Sequence, residues 1–146
     1  MNRKGVTLIE LIVVFVIIAI GAALTIPNMG SWIQSYRLRS GGRDIVSTMR
    51  VAQMRAVSNN FDYRVSFDTG AGTYILQRNT GGIWVDDGAA QTLPTGIRIN
   101  DPVPTNNPIT FSPNSSSNGG TVYLKNPKGT PRTIKVSLST GRITIE

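Results

Sequence analysis

The sequence predicts an α+β protein in which one long N-terminal helix packs against an antiparallel β-sheet head. An uninterrupted apolar run near the N-terminus is long enough to cross a membrane as a helix. Apolar residues then recur every three or four positions up to about residue 60, and alternate with polar residues from Phe61 onward. With 146 residues in total, the chain has room for about one ordinary domain beside this helix.

Residues 6–27 form the apolar half of the predicted helix. Residues 11–26 are 16 consecutive positions without a charge, and the 21 residues from Val6 contain Glu10 as their sole charge. At about 1.5 Å per residue, 21 helical residues span roughly 31 Å, which matches a hydrocarbon core of about 30 Å. Because Arg3 and Lys4 precede the run, the N-terminus should stay cytoplasmic and the chain after Pro27 should be exported. These features predict a single-pass membrane protein.

A conventional secretory signal peptide is the alternative interpretation of this segment. It would explain the basic start, the apolar middle and the small residues Ala22 and Ala23. However, the run exceeds the roughly 7–15 apolar residues of such a peptide, and it contains Glu10. A carboxylate near the bilayer centre costs on the order of 2.5–3.5 kcal/mol, so Glu10 marks a functional site whose partner has to be found.

Residues 4–10, Lys-Gly-Val-Thr-Leu-Ile-Glu, resemble the processing motif of type IV prepilins and type II secretion pseudopilins. The resemblance implies that residues 1–5 are a leader peptide, which a prepilin peptidase removes by cleavage after Gly5. Val6, where the family more commonly has Phe, would become the N-methylated first residue. Pro27 also fits, because pilin helices often carry a kinking proline at this distance from the cleavage site.

The same resemblance implies an assembly role for Glu10. In the family's filaments this glutamate meets the terminal amine of a neighbouring subunit, and a free amine at Val6 would be mostly cationic, with an ordinary pKa of about 7.7–8.0. Pairing offsets part of the penalty for burying the carboxylate, so the pair would set subunit register while apolar packing supplies cohesion. A glutamate that snorkels to the headgroups of a plain membrane anchor is the alternative.

Residues 28–60 form the predicted amphipathic half of the helix, which Pro27 should kink without ending. One helix face is apolar, at steps of 7, 4, 3 and 4: Leu38, Ile45, Met49, Ala52 and Ala56. Gly41 and Gly42 interrupt this face and predict a soft or locally melted spot, since two glycines cost about 2 kcal/mol relative to alanine. Asn59 and Asn60 should end the helix.

This half is also basic, with few acids to balance it. The basic residues are Arg37, Arg39, Arg43, Arg50, Arg55 and Arg64, against Asp44 and Asp62. A solvated face is the simpler interpretation, and contact with lipid headgroups or neighbouring subunits is the functional alternative. Removal of the leader lowers the net charge from +7 to +5, because 13 basic residues then stand against 8 acidic ones.

Residues 61–146 predict an antiparallel, β-rich globular head. The predicted strands cover residues 61–67, 74–76, 83–85, 96–100, 109–111, 121–124, 132–138 and 142–145, and proline-rich segments between them mark surface loops. Trp84 and Phe111 are predicted as core residues. Residues 93–97 (Leu-Pro-Thr-Gly-Ile), 109–113 (Ile-Thr-Phe-Ser-Pro) and 139–143 (Ser-Thr-Gly-Arg-Ile) resemble the FimT/GspH group of minor pilins and pseudopilins, which implies a pilin-like fold.

The composition argues against an enzyme. The chain has no histidine and no cysteine, which excludes Ser-His-Asp triads, thiol nucleophiles and metal sites built from these residues. Among eight carboxylates only Asp86 and Asp87 are close in sequence, and adjacent strand residues point to opposite faces. We therefore expect no catalytic residues, no metal and no cofactor.

Two function classes remain. The first is a minor pilin or pseudopilin that assembles into, or initiates, a type IV pilus or type II secretion pseudopilus, and so supports protein secretion or pilus biogenesis. The expected partners are the prepilin peptidase, other pilin or pseudopilin subunits and the bacterial inner membrane. The head would be periplasmic, and the subunit could enter a periplasmic or extracellular filament.

The second class is a FimT-like minor pilin that binds DNA during uptake. The candidate DNA-binding residues are Lys125, Lys128, Arg132, Lys135 and Arg142, opposed only by Glu146. Lysine and arginine contact phosphates without base readout. The group's Gly-Arg-x-Arg motif is incomplete here, because residues 141–144 read Gly-Arg-Ile-Thr. A solvated basic end is the alternative.

Overall fold

The computed structural model of the chain describes residues 5–99 and 104–146, apart from the side chains of residues 24–29. The described elements are α1 (Leu8–Asn59), β1 (Tyr63–Asp68), β2 (Thr73–Thr80), β3 (Ile83–Asp86), β4 (Gln91–Thr92), β5 (Arg98–Ile99), β6 (Ile109–Phe111), β7 (Gly120–Lys125), β8 (Pro131–Val136) and β9 (Ile143–Ile145). The chain divides into two compact units, Met1–Ile33 and Gln34–Glu146.

The first unit contains the apolar part of α1. Its large apolar side chains are exposed on every face of the helix, Leu8, Phe15 and Ile20 among them. Among the residues whose side chains are described, no helix is long and apolar enough to cross a membrane, so the span predicted over residues 6–27 is not confirmed. Helix α1 continues past Pro27, as predicted, and the predicted kink falls where side chains are not described.

The second unit contains two antiparallel sheets rather than the single sheet that the sequence predicts. The first has the order β3-β2-β1-β6, with β4 also paired to β2, and the second has the order β5-β7-β8-β9. The chain leaves the first sheet for β5, which pairs with β7, and returns to it for β6, which pairs with β1. This crossover divides the predicted strands between two sheets.

One core joins both sheets to α1. The helix contributes the predicted face, of which Ile45 and Met49 are fully buried. Inward residues of β1, β2, β5, β6, β7 and β8 and of the loop between β4 and β5 complete the cluster. Phe111 is fully buried, as predicted.

The prediction of Trp84 as a core residue is wrong. Trp84 is half-buried on β3, an edge strand of its sheet. The guanidinium of Arg64 lies 4.1 Å from its ring centroid, which is a cation–π contact. The alternation of apolar and polar residues predicts that Phe61 belongs to the same strand as Tyr63. In the structure, Phe61 precedes β1 and is exposed.

The predicted soft spot at Gly41 and Gly42 is also wrong. Both glycines are helical and buried. A Cβ on Gly41 would lie 3.1 Å from Cδ of Pro94, and one on Gly42 would lie 3.2 Å from Cδ of Arg132. The glycines therefore let the loop before β5 and strand β8 approach the helix closely, and this packing offsets their low helix propensity.

The helix ends where the asparagines predict. Asn59 is its last residue, and Asn60 adopts a left-handed backbone with φ of 56°, a conformation that asparagine tolerates at helix ends. All eight predicted strand regions contain a strand, and β4 is an additional strand of two exposed polar residues.

Candidate functional site

The predicted cleavage position lies just outside the helix. Gly5, Val6 and Thr7 are non-helical, and helix α1 begins at Leu8. The Val6 side chain is 74% exposed, and a Cβ on Gly5 would meet no atom within 4 Å. Residues 1–4 of the predicted leader lie outside the described residues. The bond between Gly5 and Val6 is thus in irregular, exposed backbone.

Glu10 closes the first turn of its own helix. Its carboxylate Oε2 accepts a hydrogen bond from the backbone N–H of Thr7 at 3.4 Å, and the Thr7 hydroxyl accepts one from the backbone N–H of Glu10 at 3.4 Å. This reciprocal pair is a capping box. It supplies an acceptor for the N–H of Thr7, whereas the N–H of Glu10 also donates to the backbone carbonyl of Thr7 at 3.1 Å. Thr7 is a partner of Glu10 that was not predicted from the sequence.

Both capping bonds are long, since the usual N–H···O distance is about 2.7–3.2 Å. A cationic amine would bind the same carboxylate at a shorter distance and more strongly, because both partners are then charged. Glu10 is exposed, so an external amine can replace the N–H of Thr7 as the hydrogen-bond partner of its carboxylate.

The five predicted DNA-binding residues do not share one surface. Along β8, Lys135 is opposite Thr121 and Arg132 is opposite Leu124. Leu124 is buried in the core, so Arg132 lies on the helix side of the sheet and Lys135 on its outer side. Lys125 is on the outer side too, Lys128 is in the β7–β8 turn, and Arg142 is in the β8–β9 turn.

Two of these residues belong to local structure of the head: Lys135 through a side-chain hydrogen bond, and Arg142 through the turn in which it lies. Lys135 donates to Oε2 of Glu146 at 2.7 Å, and this hydrogen bond raises the pKa of Lys135, with a further contribution from the negative charge of Glu146. Arg142 follows Gly141, whose φ is 59° and whose added Cβ would lie 2.6 Å from Nε2 of Gln53. The amide of Gln53 donates to the Thr140 carbonyl at 3.4 Å. Gly141 and Arg142 thus belong to a turn that is hydrogen-bonded to helix α1 through Gln53.

Arg98 is a basic residue that was not predicted as a candidate from the sequence. It pairs directly with Lys125 across β5 and β7, so the two side chains lie on the same face. Together with Gly96, Asn126 and Pro127, they line an open pocket of about 420 Å³. Arg98 lies outside the basic C-terminal segment that contains the predicted residues, and only the strand register brings it to Lys125.

A second pocket, of about 340 Å³, lies between α1 and β2. Tyr74 donates its hydroxyl proton to Oε1 of Gln91 at 2.8 Å, and Thr48 donates to the same oxygen at 3.4 Å. Burial raises the pKa of Tyr74; a hydrogen bond with Thr48 offsets part of this rise, and the nearby charge of Asp44 adds to it. This polar network ties β4 to the helix.

The adjacent carboxylates Asp86 and Asp87 bind different groups. Asp86 accepts from the amide of Gln77 at 2.8 Å, whereas Asp87 forms an ion pair with Arg55 at 2.6 Å. Both bonds connect structural elements of the head. The two carboxylates therefore act separately.

Two family models match the chain. Residues 1–26 match the prokaryotic N-terminal methylation motif, and residues 42–141 match the family described as type II transport protein GspH. No curated protein sequence matches the chain.

Solved structures with a similar fold include the minor pseudopilin EpsH of the type 2 secretion system of Vibrio cholerae. It is 10% identical, with a TM-score of 0.63 over 75% of this chain and 96% of that one. A crystal structure of the same pseudopilin gives 11% identity and a TM-score of 0.61, over 77% of this chain and 94% of that one. The type IV minor pilin FimU of Pseudomonas aeruginosa is 15% identical, with a TM-score of 0.62 over 79% of this chain and 92% of that one.

Proposed function

The chain belongs to the type II transport protein GspH family, and we propose that it assembles into, or initiates, a type IV pilus or type II secretion pseudopilus. The observation that carries the proposal is the helix start: a capping box at Thr7 and Glu10, directly after Gly5 and Val6, begins a helix that is apolar on every face. Such a helix needs cover from lipid or from other subunits.

Processing by a prepilin peptidase is the first step of this proposal. The enzyme would cleave between Gly5 and Val6 on the cytoplasmic side of the bacterial inner membrane, and Val6 would then be N-methylated. The match to the methylation motif over residues 1–26 supports this. The subunit would be anchored once in the membrane through residues 6–27, including Pro27, with its head in the periplasm before it enters a filament.

Intact mass and N-terminal sequencing of the protein from membranes, with and without the cognate prepilin peptidase, test the processing step. We expect a chain that begins at N-methylated Val6 only when the peptidase is present, and Gly5→Leu should abolish this product. A chain that begins near Ala23 would identify a conventional signal peptide and contradict the proposal.

The assembly role of Glu10 can be separated from its capping role. Glu10→Gln keeps a side chain that can close a capping box but removes the charge, whereas Thr7→Val removes the hydroxyl of the cap and keeps the charge. If Glu10 pairs with the amine of a neighbouring subunit, Glu10→Gln and Glu10→Ala should both be processed normally and incorporate poorly into filaments. Thr7→Val should incorporate better than either.

Filament incorporation is measured by crosslinking to neighbouring subunits and by recovery in sheared filaments. Normal incorporation of Glu10→Gln would exclude the charge pair as the register device. Equal losses in Glu10→Gln and Thr7→Val would instead point to a need for a stable helix start.

The pairing of Arg98 with Lys125 favours DNA binding as a second candidate function. It creates a concave basic surface that does not depend on Lys135, which is bonded to Glu146, or on Arg132, which faces the helix. Lys128 follows in the adjacent turn. Three such basic residues would give a salt-dependent, sequence-independent affinity for phosphates.

The test compares two double variants of the full-length protein in detergent. Arg98→Ala with Lys125→Ala should weaken binding to single- and double-stranded DNA and reduce the salt dependence, by a slope of roughly 0.9 for each duplex phosphate that is no longer neutralised. Lys135→Ala with Arg142→Ala is the control with the same charge change. If the control pair weakens binding more, the C-terminal residues form the site, and if neither pair does, DNA is not a ligand of these surfaces.

A further inference from the structure

A second basic surface lies between helix α1 and strand β8, and we name it the Arg39–Arg132 pocket. It is an open pocket of about 220 Å³, lined by residues that include Ser35, Leu38, Arg39, Arg132 and Glu146. All of them belong to the unit formed by Gln34–Glu146. Neither the processing site nor the Arg98–Lys125 surface uses this pocket.

Arg132 is held in a fixed position at this pocket. Its aliphatic stem crosses the helix at Gly42, because a Cβ on that glycine would lie 3.2 Å from Cδ and 3.3 Å from Nε of Arg132. The Nε of Arg132 is buried and has no hydrogen-bond partner. A guanidinium is always charged and has donors only. Because the Nε is closed off, an anionic acceptor would have to meet the outer Nη groups of Arg132, for which the described residues supply no carboxylate.

The pocket has an excess of positive charge. Among residues 5–99 and 104–146, no carboxylate lies within ion-pair distance of Arg39 or Arg132. The acid at the pocket edge, Glu146, is already bonded to Lys135 at 2.7 Å. Arg43 lies one helical turn from Arg39, and like charges at this spacing repel. An anion bound between Arg39 and Arg132 would relieve this repulsion.

We propose that the Arg39–Arg132 pocket binds the phosphate of an anionic lipid headgroup at the membrane surface. Two guanidinium groups suit phosphate oxygens, which they can contact with paired N–H donors. The apolar side chain of Leu38 offers a surface for the carbon atoms next to the phosphate. The proposal rests on the membrane anchoring by residues 6–27 that is part of the proposed function.

The position of the pocket along the chain favours lipid over nucleic acid. Only seven residues separate Ser35 from Pro27, the end of the predicted membrane segment. Trp32 and Tyr36, which are 68% and 56% exposed, are of the two types enriched at membrane–water interfaces. The pocket lining contains no aromatic residue on which a base could stack.

Native mass spectrometry of the full-length protein in a nonionic detergent, titrated with phosphatidylglycerol or phosphatidylcholine, tests this proposal. The variant Arg39→Gln with Arg132→Met removes both charges and keeps a side chain across Gly42. The control, Arg50→Gln with Arg78→Met, removes the same charge at two exposed positions elsewhere on the helix and head. Since each basic residue near anionic lipid contributes about a factor of five, we expect the pocket variant to lose on the order of 25-fold in phosphatidylglycerol affinity. The control should stay within about twofold, and phosphatidylcholine binding should change little.

Three results would overturn the proposal. Equal losses in both variants would mean that net charge alone attracts the lipid. Displacement of phosphatidylglycerol by inorganic phosphate at similar concentration would mean an ion site without lipid selectivity. A short single-stranded oligonucleotide that loses affinity only in the pocket variant, while lipid binding stays unchanged, would assign the pocket to nucleic acid.

Carbonate extraction of membranes distinguishes this inference from the proposed function. If the wild-type protein is not retained in membranes, the anchoring by residues 6–27 fails, whatever the variants bind. If wild type and pocket variant are both retained but bind phosphatidylglycerol equally, only the pocket assignment fails.

Discussion

The two parts of helix α1 obtain their stability from different sources. In the part before residue 24, apolar side chains surround the helix and are exposed on every face, whereas from residue 38 onward one apolar face is buried against two sheets. The apolar side chains of the exposed part need contacts outside this chain to be buried, whereas those of the second part are buried by the two sheets. Burial within the chain therefore distinguishes the segment that is left exposed from the segment that builds the head.

Matched isoleucine truncations should show this difference most strongly. Ile45 is fully buried and Ile12 is 46% exposed. Ile45→Ala should destabilise the head by about 2–5 kcal/mol through lost burial and a cavity, while Ile12→Ala should change head stability by less than about 0.5 kcal/mol. Urea unfolding of the full-length protein, followed by the fluorescence of Trp84 in a Trp32→Phe background, measures both. Similar losses in the two variants would contradict the comparison.

Glycine-to-alanine substitutions test the same difference between the packed and the exposed part of helix α1. Gly41→Ala should destabilise the head by about 1 kcal/mol, because the clash with the rigid ring of Pro94 outweighs the gain in helix propensity. A Cβ on Gly21 would meet no atom within 4 Å, so Gly21→Ala should stabilise its part of the helix by up to about 1 kcal/mol. Urea unfolding reports the first change and amide hydrogen exchange the second. A Gly41→Ala variant more stable than wild type would restore the soft-spot interpretation.

Tyr74→Phe tests the polar network between helix and sheet. Loss of the hydrogen bond to Gln91 should cost about 1 kcal/mol at neutral pH. Because the pKa of Tyr74 is raised by burial, the unfolded chain loses this proton first, and wild-type stability should fall as the pH rises from about 10 through the folded-state pKa. Unfolding curves between neutral pH and pH values above about 10 should show a shallower fall in the variant. Parallel curves would mean that Tyr74 does not contribute to the alkaline loss.

The ion pair between Arg55 and Asp87 should have the smallest effect. Both side chains are about one-third or more exposed, at 40% and 34%, so solvent screens the pair. Arg55→Met should lower stability by at most about 1 kcal/mol, and less at high salt. Arg50→Met, on the exposed side of the same helix, is the control. A larger loss that salt does not reduce would show that Arg55 acts through packing.

Periodicity predicted most of the fold because burial imposes it. The spacing of apolar residues changes from every three or four positions to every second position, and this change located the end of the helix. Each segment of alternating apolar and polar residues forms a strand. Strand β4 was missed because Gln91 and Thr92 are polar and exposed, and nothing in their sequence distinguishes them from a loop. Trp84 was misplaced because alternation indicates which face a residue takes, not whether another element covers that face.

Interactions between distant segments explain the remaining differences. Propensity alone predicts a weak helix at Gly41 and Gly42, since the close approach of Pro94 and Arg132 is not encoded locally. The pairing of Arg98 with Lys125 requires the register of β5 and β7. In contrast, the separation of Arg132 from Lys135 was available from the sequence, because positions three apart on a strand point to opposite faces.

The capping box was also available from the sequence. A threonine followed three positions later by glutamate is a known signature of a helix start. The resemblance to prepilins drew attention to the charge of Glu10 and to partners in other subunits. The local partner, Thr7, lies in the same motif.

Both sheets of the head end in very short strands. Among the described residues, the edge strands are β3, β4 and β6 in the first sheet and β5 and β9 in the second, with four, two, three, two and three residues. A long, flat edge would offer unpaired backbone groups to a second molecule and promote aggregation. Short edges leave the sheets little backbone with which to pair with a second copy of the head. The head thereby resists edge-to-edge aggregation, and the surface that most needs a partner is the exposed apolar part of α1.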